Sequence, residues 1–202
     1  MTIRTILHVG PGHRNNGARL PEPLATPEWR EIRLDIDPSN EPDIVGSMLD
    51  MPAVADASVD AVYSAHNIEH VYPHEVGRVL QEFLRVLKPG GFLLVTCPDL
   101  QTVGALIAED KLTDPAYMSP AGPITPLDIL YGHRQALAQG NHYMAHRCGF
   151  TLKVLFATLQ VNGFQGVLGK RRPAAFDLWA LATRGPMTDD ALQALGALYL
   201  PA

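Results

Sequence analysis

Two glycines one residue apart, Gly10 and Gly12, follow an apolar run at residues 5–9. This pattern is typical of a buried parallel strand that ends in a turn, where the missing Cβ lets a ligand lie against the backbone. A second apolar stretch, residues 31–34, ends in Asp35. Dinucleotide-type folds place a carboxylate at this position to accept hydrogen bonds from ribose hydroxyls. The two strand ends together predict a nucleotide-cofactor site.

A histidine-rich segment follows the predicted strand 59–63 and contains His66, Glu69 and His70 in the spacing His-x-x-Glu-His. On one long helix this spacing would bring two imidazoles and a carboxylate together, as in a class of zinc peptidases. Here it straddles a strand end and the helix after it, which argues against that alternative. We therefore predict His66 and His70 as catalytic residues and predict no metal site.

Residues 111–146 are rich in glycine, proline and short apolar pieces, which indicates an inserted segment of loops and short helices that acts as a lid. Four side chains in or beside it can hydrogen-bond a polar substrate, and we predict them as substrate-binding residues: Tyr131, His133, His142 and His146. The last two are four residues apart, but no third metal ligand accompanies them.

The apolar pattern of the rest of the chain predicts the helices and strands that position these candidate site residues. Apolar residues recur at helical spacing over 73–87, which predicts a helix. Pro89-Gly90-Gly91 is predicted to form a turn after this helix, and a buried strand over 92–97 follows. A helix is predicted from Thr151 to Gln160, then a closing antiparallel pair of strands. Prolines 21, 23 and 27 argue against a long first crossover helix. A terminal helix carries leucines that must cover the sheet edge or a second copy of the chain.

Composition excludes several classes of function. The 202-residue chain has a net charge of −5 and no dense block of lysine and arginine, which argues against a nucleic-acid partner. No leader segment opens the chain and no apolar stretch is long enough for a membrane helix, so we expect a cytoplasmic protein without membrane partners. The length favours a single domain over residues 1–202. Cys97 and Cys148 are expected to be packed thiols.

The tract from Glu82 to Gly91, with its Arg-Val-Leu-Lys-Pro-Gly-Gly end, adds a resemblance. Together with Glu69-His70 and the Gly10-x-Gly12 strand, it resembles the class I S-adenosylmethionine-dependent methyltransferases, and within them the type 11 group that acts on small molecules. The resemblance implies an α/β fold: a Rossmann-like, mostly parallel, seven-stranded sheet with helices on both faces and the last strand antiparallel. The first helices would be reduced, and the insertion would follow strand 5.

The resemblance also implies a cofactor, S-adenosylmethionine, with S-adenosylhomocysteine as product. Gly10 and Gly12 would approach its amino-acid end, and Asp35 would bind its ribose. The other implied cofactor residues are Ile36, Met48 and Leu49 around the adenine, and Ser64, Ala65 and His66 below the methyl donor. The implied reaction is methyl transfer to an oxygen, nitrogen or carbon of a small-molecule or glycan-type acceptor. A homodimer is a separate expectation, which comes from the leucines of the terminal helix.

Two other functions stay open at this point. The glycine pair and Asp35 also suit a nicotinamide-dependent oxidoreductase, although Asn15 stands where Gly-x-Gly-x-x-Gly needs its third glycine. A non-catalytic binding module could also keep this fold and serve as an assembly or regulatory partner. Arg14 stands where many class I methyltransferases carry a glycine, and Ser47 where many carry an acidic residue.

Overall fold

The computed structural model describes residues 3–15 and 19–201, and seven strands of this part form one sheet. The strands are β1 (Arg4–Val9), β2 (Trp29–Asp35), β3 (Ile44–Val45), β4 (Val59–Ala65), β5 (Leu87–Pro98), β8 (Val167–Arg172) and β9 (Asp177–Thr183). The spatial order is β3-β2-β1-β4-β5-β9-β8. Six of these strands run in the same direction, and β9 runs antiparallel to them between β5 and β8, which confirms the Rossmann-like sheet expected from the resemblance.

Helices cover both faces of the sheet, as predicted. Side chains from alternate positions of β1 and β4 enter two separate apolar clusters, one on each face. The helices are α1 (Val76–Val86), α2 (Leu100–Ala108), α3 (Pro126–Tyr131), α4 (Arg134–Ala138), α5 (Leu152–Val161) and α6 (Asp189–Tyr199). Helices α1 and α5 contribute to the first cluster, and α6 contributes to the second. None of the described helices is long and apolar enough to cross a membrane.

The described parts of the crossovers that lead to β2 and β3 contain no long helix, as the prolines predict. The described part of the first one contains a single 3-10 turn, Glu22–Leu24, with Leu24 fully buried; residues 16–18, at the end of the polar stretch after Gly12, lie outside the described residues. Strand β3 is a two-residue edge piece that pairs with the end of β2. Within residues 10–15 and 19–28, no long helix follows the glycine turn.

The Pro-Gly-Gly tract does not form the turn that the sequence predicts. Helix α1 ends at Val86, and β5 begins at Leu87, so Pro89, Gly90 and Gly91 lie within the strand. The register between β4 and β5 shifts in this region, which lets the tract bulge. A Cβ on Gly91 would come within 2.9 Å of the Asp60 carbonyl oxygen, so the close approach of the two strands requires glycine.

The insertion contains more regular structure than loops and short helices. A hairpin of β6 (Tyr117–Ser119) and β7 (Gly122–Ile124) precedes α3, and the sequence analysis did not predict it. Thr125 and Asp128 form a capping box at the start of α3. Asp128 also accepts a hydrogen bond from Arg134 Nε at 2.7 Å, which ties α3 to α4.

The terminal helix α6 begins after its cap residue Thr188, as predicted. Its side chains at Leu192 and Leu195 pack against the second apolar cluster, together with Leu200 just beyond the helix. Leu198 is an exception, with half of its surface exposed. The helix thus covers the sheet, and a homodimer remains a prediction.

The loop between β3 and β4 is held by one arginine of α1. The Arg85 guanidinium donates to the carbonyl oxygens of Met51 at 2.9 Å and Val54 at 2.8 Å, and to both carboxylate oxygens of Glu82. Glu82 in turn accepts a hydrogen bond from the Met51 backbone at 2.7 Å. This hydrogen-bonded arginine lowers the pKa of Glu82. Arg85 therefore positions the loop that carries Met48 toward the cleft.

We expect Arg85→Met to lower the free energy of unfolding by about 2–3 kcal/mol, because two carbonyl oxygens and the carboxylate of Glu82 lose a charged donor. Urea denaturation measures the change. The control is Arg78→Met on the same helix, whose exposed side chain only approaches Asp50 at 4.0 Å; it should change stability by less than about 0.5 kcal/mol. Equal effects of both substitutions would contradict the anchoring role of Arg85.

Candidate functional site

A cavity of about 370 Å³ lies at the carboxyl ends of β1, β2 and β4. This volume falls within the range of small-molecule sites. Seven of the nine predicted cofactor residues line it: Gly10, Gly12, Asp35, Ile36, Met48, Leu49 and His66. They converge because β1 pairs in parallel with both β2 and β4, so the three chain segments leave the sheet at the same edge.

The turn after β1 requires its two glycines. Gly10 and Gly12 have φ values of 66° and 68°, in the left-handed region that other residues rarely adopt. A Cβ on Gly10 would lie 2.5 Å from the side chain of Asn67. The turn is fixed on β2 by hydrogen bonds from the Gly12 amide to Asp35 at 2.9 Å and from Arg33 to the Gly12 carbonyl at 3.0 Å.

Asp35 is almost fully buried, and its carboxylate accepts three hydrogen bonds. The donors are the amides of Gly12 and Asp37, each at 2.9 Å, and the side chain of Asn40 at 3.1 Å. A carboxylate has about four lone-pair positions, so Asp35 retains acceptor capacity for one further donor. Asp37 lines the same cavity and can accept a second hydroxyl. Asp35 both organises the wall and offers an acceptor.

Ser64 and Ala65, predicted to lie below the methyl donor, do not line the cavity. Ser64 lies inside strand β4, fully buried, and its hydroxyl has no hydrogen-bond partner. The chain reaches the cavity only after the strand ends, at His66 and Asn67. His66 and Asn67 therefore occupy the part of the cavity wall that was predicted for Ser64 and Ala65.

His66 has a backbone φ of 46°, which places it in the left-handed region. Its amide donates to the Thr96 carbonyl oxygen at 3.0 Å. The half-exposed imidazole lies between two acids, with Nε2 3.9 Å from Asp177 and Nδ1 3.6 Å from Glu69. Desolvation lowers the pKa of His66, but the nearby negative charges of Asp177 and Glu69 outweigh this effect and raise the pKa to about 9. His66 is thus a cationic group at the cavity wall.

A second cavity, of about 230 Å³, adjoins the first. His66, His70 and Met144 line both cavities, so a ligand in one can approach a ligand in the other beside these side chains. The second cavity is bounded by the insertion and by Phe176, whose ring stacks on Tyr117 with centroids 5.9 Å apart. The arrangement suits two small ligands that meet near His66.

Three titratable side chains meet in the wall of this second cavity, where the sequence predicted no metal site. Ligand atoms of Glu69, His70 and His146 lie within 4.8 Å of one another. Glu69 is fully buried, and neither carboxylate oxygen has a hydrogen-bond partner. Burial raises the pKa of Glu69, but the neighbouring histidines, His66 foremost, outweigh it and lower the pKa. The cluster therefore holds a buried anion.

The predicted substrate residues divide into two groups. His133 and His146 line the second cavity, whereas Tyr131 and His142 line neither cavity and are exposed. Tyr131 ends α3, and its contribution is a carbonyl oxygen that accepts the His146 amide at 3.2 Å. The 3-10 turn His142–Met144 instead turns Tyr143 and Met144 toward the first cavity.

Sequence reasoning missed several residues of the two cavities. Asn67 and Arg147 line the first cavity, and Phe176 lines the second. Glu69 also lines the second cavity; the sequence analysis noted it in the His-x-x-Glu-His spacing but did not predict it as a site residue. Asn67 follows His66 directly, so the rule that strand ends meet at one edge would have found it. Phe176 lies just before β9, opposite the end of β5, and only the antiparallel pairing reveals that position.

We expect Gly10→Ala to lower the free energy of unfolding by at least about 1–2 kcal/mol, since alanine is strained at this φ and its Cβ meets Asn67. Urea denaturation measures the loss, and adding Asn67→Ala should recover only the part due to the clash. The control is Gly104→Ala in α2, where a Cβ meets no atom within 4 Å. It should stabilise the protein by about 0.5–1 kcal/mol. A Gly10→Ala protein as stable as the parent would contradict the described turn.

Comparison with known proteins shows which proteins this chain is similar to. Residues 19–95 match a family model described as a methyltransferase domain. No curated protein matches the chain. Among solved structures, an S-adenosylmethionine-dependent methyltransferase from Methanosarcina mazei is 18% identical, with a TM-score of 0.58, and the match covers 93% of this chain and 95% of that one.

Two further structures share the fold. A protein described as possibly exported, from Bordetella parapertussis, is 17% identical with a TM-score of 0.57, and the match covers 92% of this chain and 63% of that one. The 1,6-didemethyltoxoflavin-N1-methyltransferase of Burkholderia thailandensis, with its substrate and S-adenosylhomocysteine bound, is 14% identical with a TM-score of 0.54 and coverages of 92% and 72%.

The chain spans 63%, 52% and 47% of the length of three of the structures that it resembles. At these identities the likeness establishes the fold alone. The matched segment, residues 19–95, is similar to a methyltransferase domain.

Proposed function

We propose that the protein transfers the methyl group of S-adenosylmethionine to an oxygen, nitrogen or carbon atom of a small-molecule or glycan-type acceptor. The observation that carries this proposal is the pair of adjoining cavities that share His66, His70 and Met144. A two-ligand transfer needs both reactants held with their reacting atoms in contact and aligned. The first cavity suits the cofactor, and the second suits the acceptor.

The residues of the first cavity fit the cofactor. The backbone at Gly10 and Gly12 is open to close approach, and a Cβ at Gly10 would collide with Asn67. Asp35 and Asp37 offer acceptors for ribose hydroxyls, while Met48 and Leu49 offer apolar surface for the adenine. When bound, S-adenosylmethionine supplies a methyl group on a positively charged sulfur, which needs no further activation by the protein.

The chain's own residues then have three tasks. The turn after β1 and the carboxylates after β2 orient the nucleotide. His66 and His70, at the wall shared by the cavities, orient the acceptor and exchange protons with it. The insertion, residues 111–146, contributes Tyr143 and Met144 to the first cavity and His133 to the second, and we propose that it acts as a lid that keeps water from both.

The second cavity supports an acceptor of modest size. Its volume of about 230 Å³ is smaller than that of the cofactor cavity. Stacked rings of Tyr117 and Phe176 offer a flat apolar surface, and His133 and Asp128 offer polar atoms nearby. This combination suits a ring with hydroxyl or amine substituents, as in a phenol, a nitrogen heterocycle or a sugar.

Isothermal titration distinguishes this proposal from its alternatives. The protein is titrated with S-adenosylmethionine, S-adenosylhomocysteine, and the oxidised and reduced nicotinamide dinucleotides. We expect micromolar binding of the two sulfur nucleotides and none of the nicotinamides. Binding of a nicotinamide cofactor instead would favour the oxidoreductase, and binding of none would favour a non-catalytic module.

We expect Asp35→Asn to weaken S-adenosylmethionine binding by about ten- to a hundredfold, the equivalent of about 1.5–3 kcal/mol for a hydrogen bond to a charged acceptor. Titration calorimetry measures the change, with circular dichroism to confirm the fold. The control is Asp50→Asn, an exposed carboxylate on the loop after β3, which should bind the cofactor like the parent protein. An unchanged affinity in Asp35→Asn would show that Asp35 does not hold the ribose.

A further inference from the structure

We propose that Glu69, His70 and His146 bind a divalent metal ion, Zn²⁺, in the wall of the second cavity. Their ligand atoms lie within 4.8 Å of one another, close enough to converge on one ion. Two imidazoles and one carboxylate form a donor set that zinc uses in catalytic sites, where the fourth position stays open to water or substrate. Magnesium prefers an all-oxygen shell, so the two nitrogens favour zinc.

The buried carboxylate of Glu69 gives the first independent argument. Its side chain has no exposed surface, and neither oxygen has a hydrogen-bond partner. An ionised carboxylate in such a place is costly unless it is paired or binds a metal. His66 supplies a positive charge 3.6 Å away, but this distance exceeds that of a hydrogen bond. The oxygens of Glu69 therefore still lack a direct partner.

The orientation of His146 gives the second argument. Its Nδ1 lies 2.7 Å from the carbonyl oxygen of Ile129, so this nitrogen carries the proton and donates it. The lone pair of the neutral ring is then on Nε2. Metal-binding histidines in proteins commonly use one nitrogen for the metal while the other donates to a backbone carbonyl or carboxylate. Ile129 thus fixes the tautomer that a metal requires.

His70 can act as a ligand for a similar reason. Its two ring nitrogens lie 3.1 Å from the Ala145 carbonyl oxygen and 3.2 Å from the His66 carbonyl oxygen. A neutral imidazole donates at only one of these positions, so the other nitrogen keeps its lone pair. Zinc binds about 2.0–2.1 Å from a histidine nitrogen, so the His70 ring must turn this nitrogen from its carbonyl oxygen toward Glu69 when the ion binds.

Backbone hydrogen bonds hold the two ligand-bearing segments together. The amides of Arg147 and Cys148 donate to the Glu69 carbonyl oxygen at 2.8 and 3.2 Å. The segment with His146 is therefore held on the 3-10 turn with Glu69 and His70 before any ion binds. Preorganised ligands reduce the entropy that metal binding must overcome. The same three side chains face the second cavity, so the open coordination position is directed toward the acceptor.

A zinc ion there would bind an acceptor oxygen and lower the pKa of its hydroxyl. This role rests on the methyl transfer proposed above, and it would favour an oxygen acceptor over carbon. The metal site itself is independent of that reaction, because the three ligands lie outside the residues that hold the nucleotide's glycine turn and ribose.

The test is calorimetric titration of the chelator-stripped protein with zinc chloride, without cofactor. We expect one equivalent of zinc per chain, with micromolar or tighter binding, and much weaker binding of magnesium. Glu69→Gln should weaken zinc binding by more than about a hundredfold, beyond the loss expected for an outer partner of a ligand. His146→Asn should do the same, since its amide can keep the hydrogen bond to Ile129 but offers no Nε2.

The control is His74→Gln, an exposed histidine outside the cluster, which should bind zinc like the parent protein. Circular dichroism in chelator checks that Glu69→Gln keeps the parent fold. Zinc should then raise the melting temperature of the parent but not of Glu69→Gln.

Absence of stoichiometric zinc binding in the parent, or undiminished binding in Glu69→Gln, would overturn the proposed site. Cofactor titration of the same preparations separates the two proposals. S-adenosylmethionine binding without zinc binding would leave methyl transfer standing, and zinc binding without cofactor binding would leave the metal site standing.

Discussion

The structure depends first on the parallel pairing of β1 with both of its neighbours. The chain passes outward from β1 to β2 and β3, then returns to place β4 on the other side of β1. All of these strands end at the same edge, and the cleft forms where the strand order reverses. A shift of one residue in the register of β1 would exchange its two apolar faces, so the buried sides of this strand fix where Gly10 and Gly12 lie.

The second dependence is the contact between the insertion and the turn after β4. The backbone carbonyl oxygen of Glu69 accepts hydrogen bonds from two backbone amides, those of Arg147 and Cys148. These residues lie nearly eighty positions further along the chain. This contact closes the second cavity and brings three histidines around one buried carboxylate. Burying a carboxylate without a hydrogen-bond partner is energetically unfavourable, so close packing alone does not explain why Glu69 is there. It links the proposed lid to the place where we propose that the acceptor binds.

The sequence predicted those parts of the site that follow from strand ends. Gly10, Asp35 and His66 each come directly after an apolar run, and parallel strands bring such positions together whatever the details of the loops. The closing antiparallel strands and helix α5 were also predicted, because their apolar patterns are local.

Contacts between distant segments could not be predicted in the same way. The partnership of Glu69 with His146 depends on how the insertion folds back, and no local pattern encodes it. His142 and Tyr131 were predicted as substrate residues from their chemistry alone, and the short turns of the insertion direct their neighbours into the cavities instead. The Pro-Gly-Gly tract was expected to form a turn, but close packing of β5 on Asp60 draws it into the strand.

The central claim is that a nucleotide in the first cavity presents its sulfur to the second cavity beside His66. The most direct measurement is a crystal structure of the protein with S-adenosylhomocysteine. We expect the ribose at Asp35, the amino-acid end against Gly10 and Gly12, and the sulfur directed toward His66 and the space bounded by Phe176. A nucleotide bound with its sulfur away from His66, or bound outside this cavity, would contradict the claim.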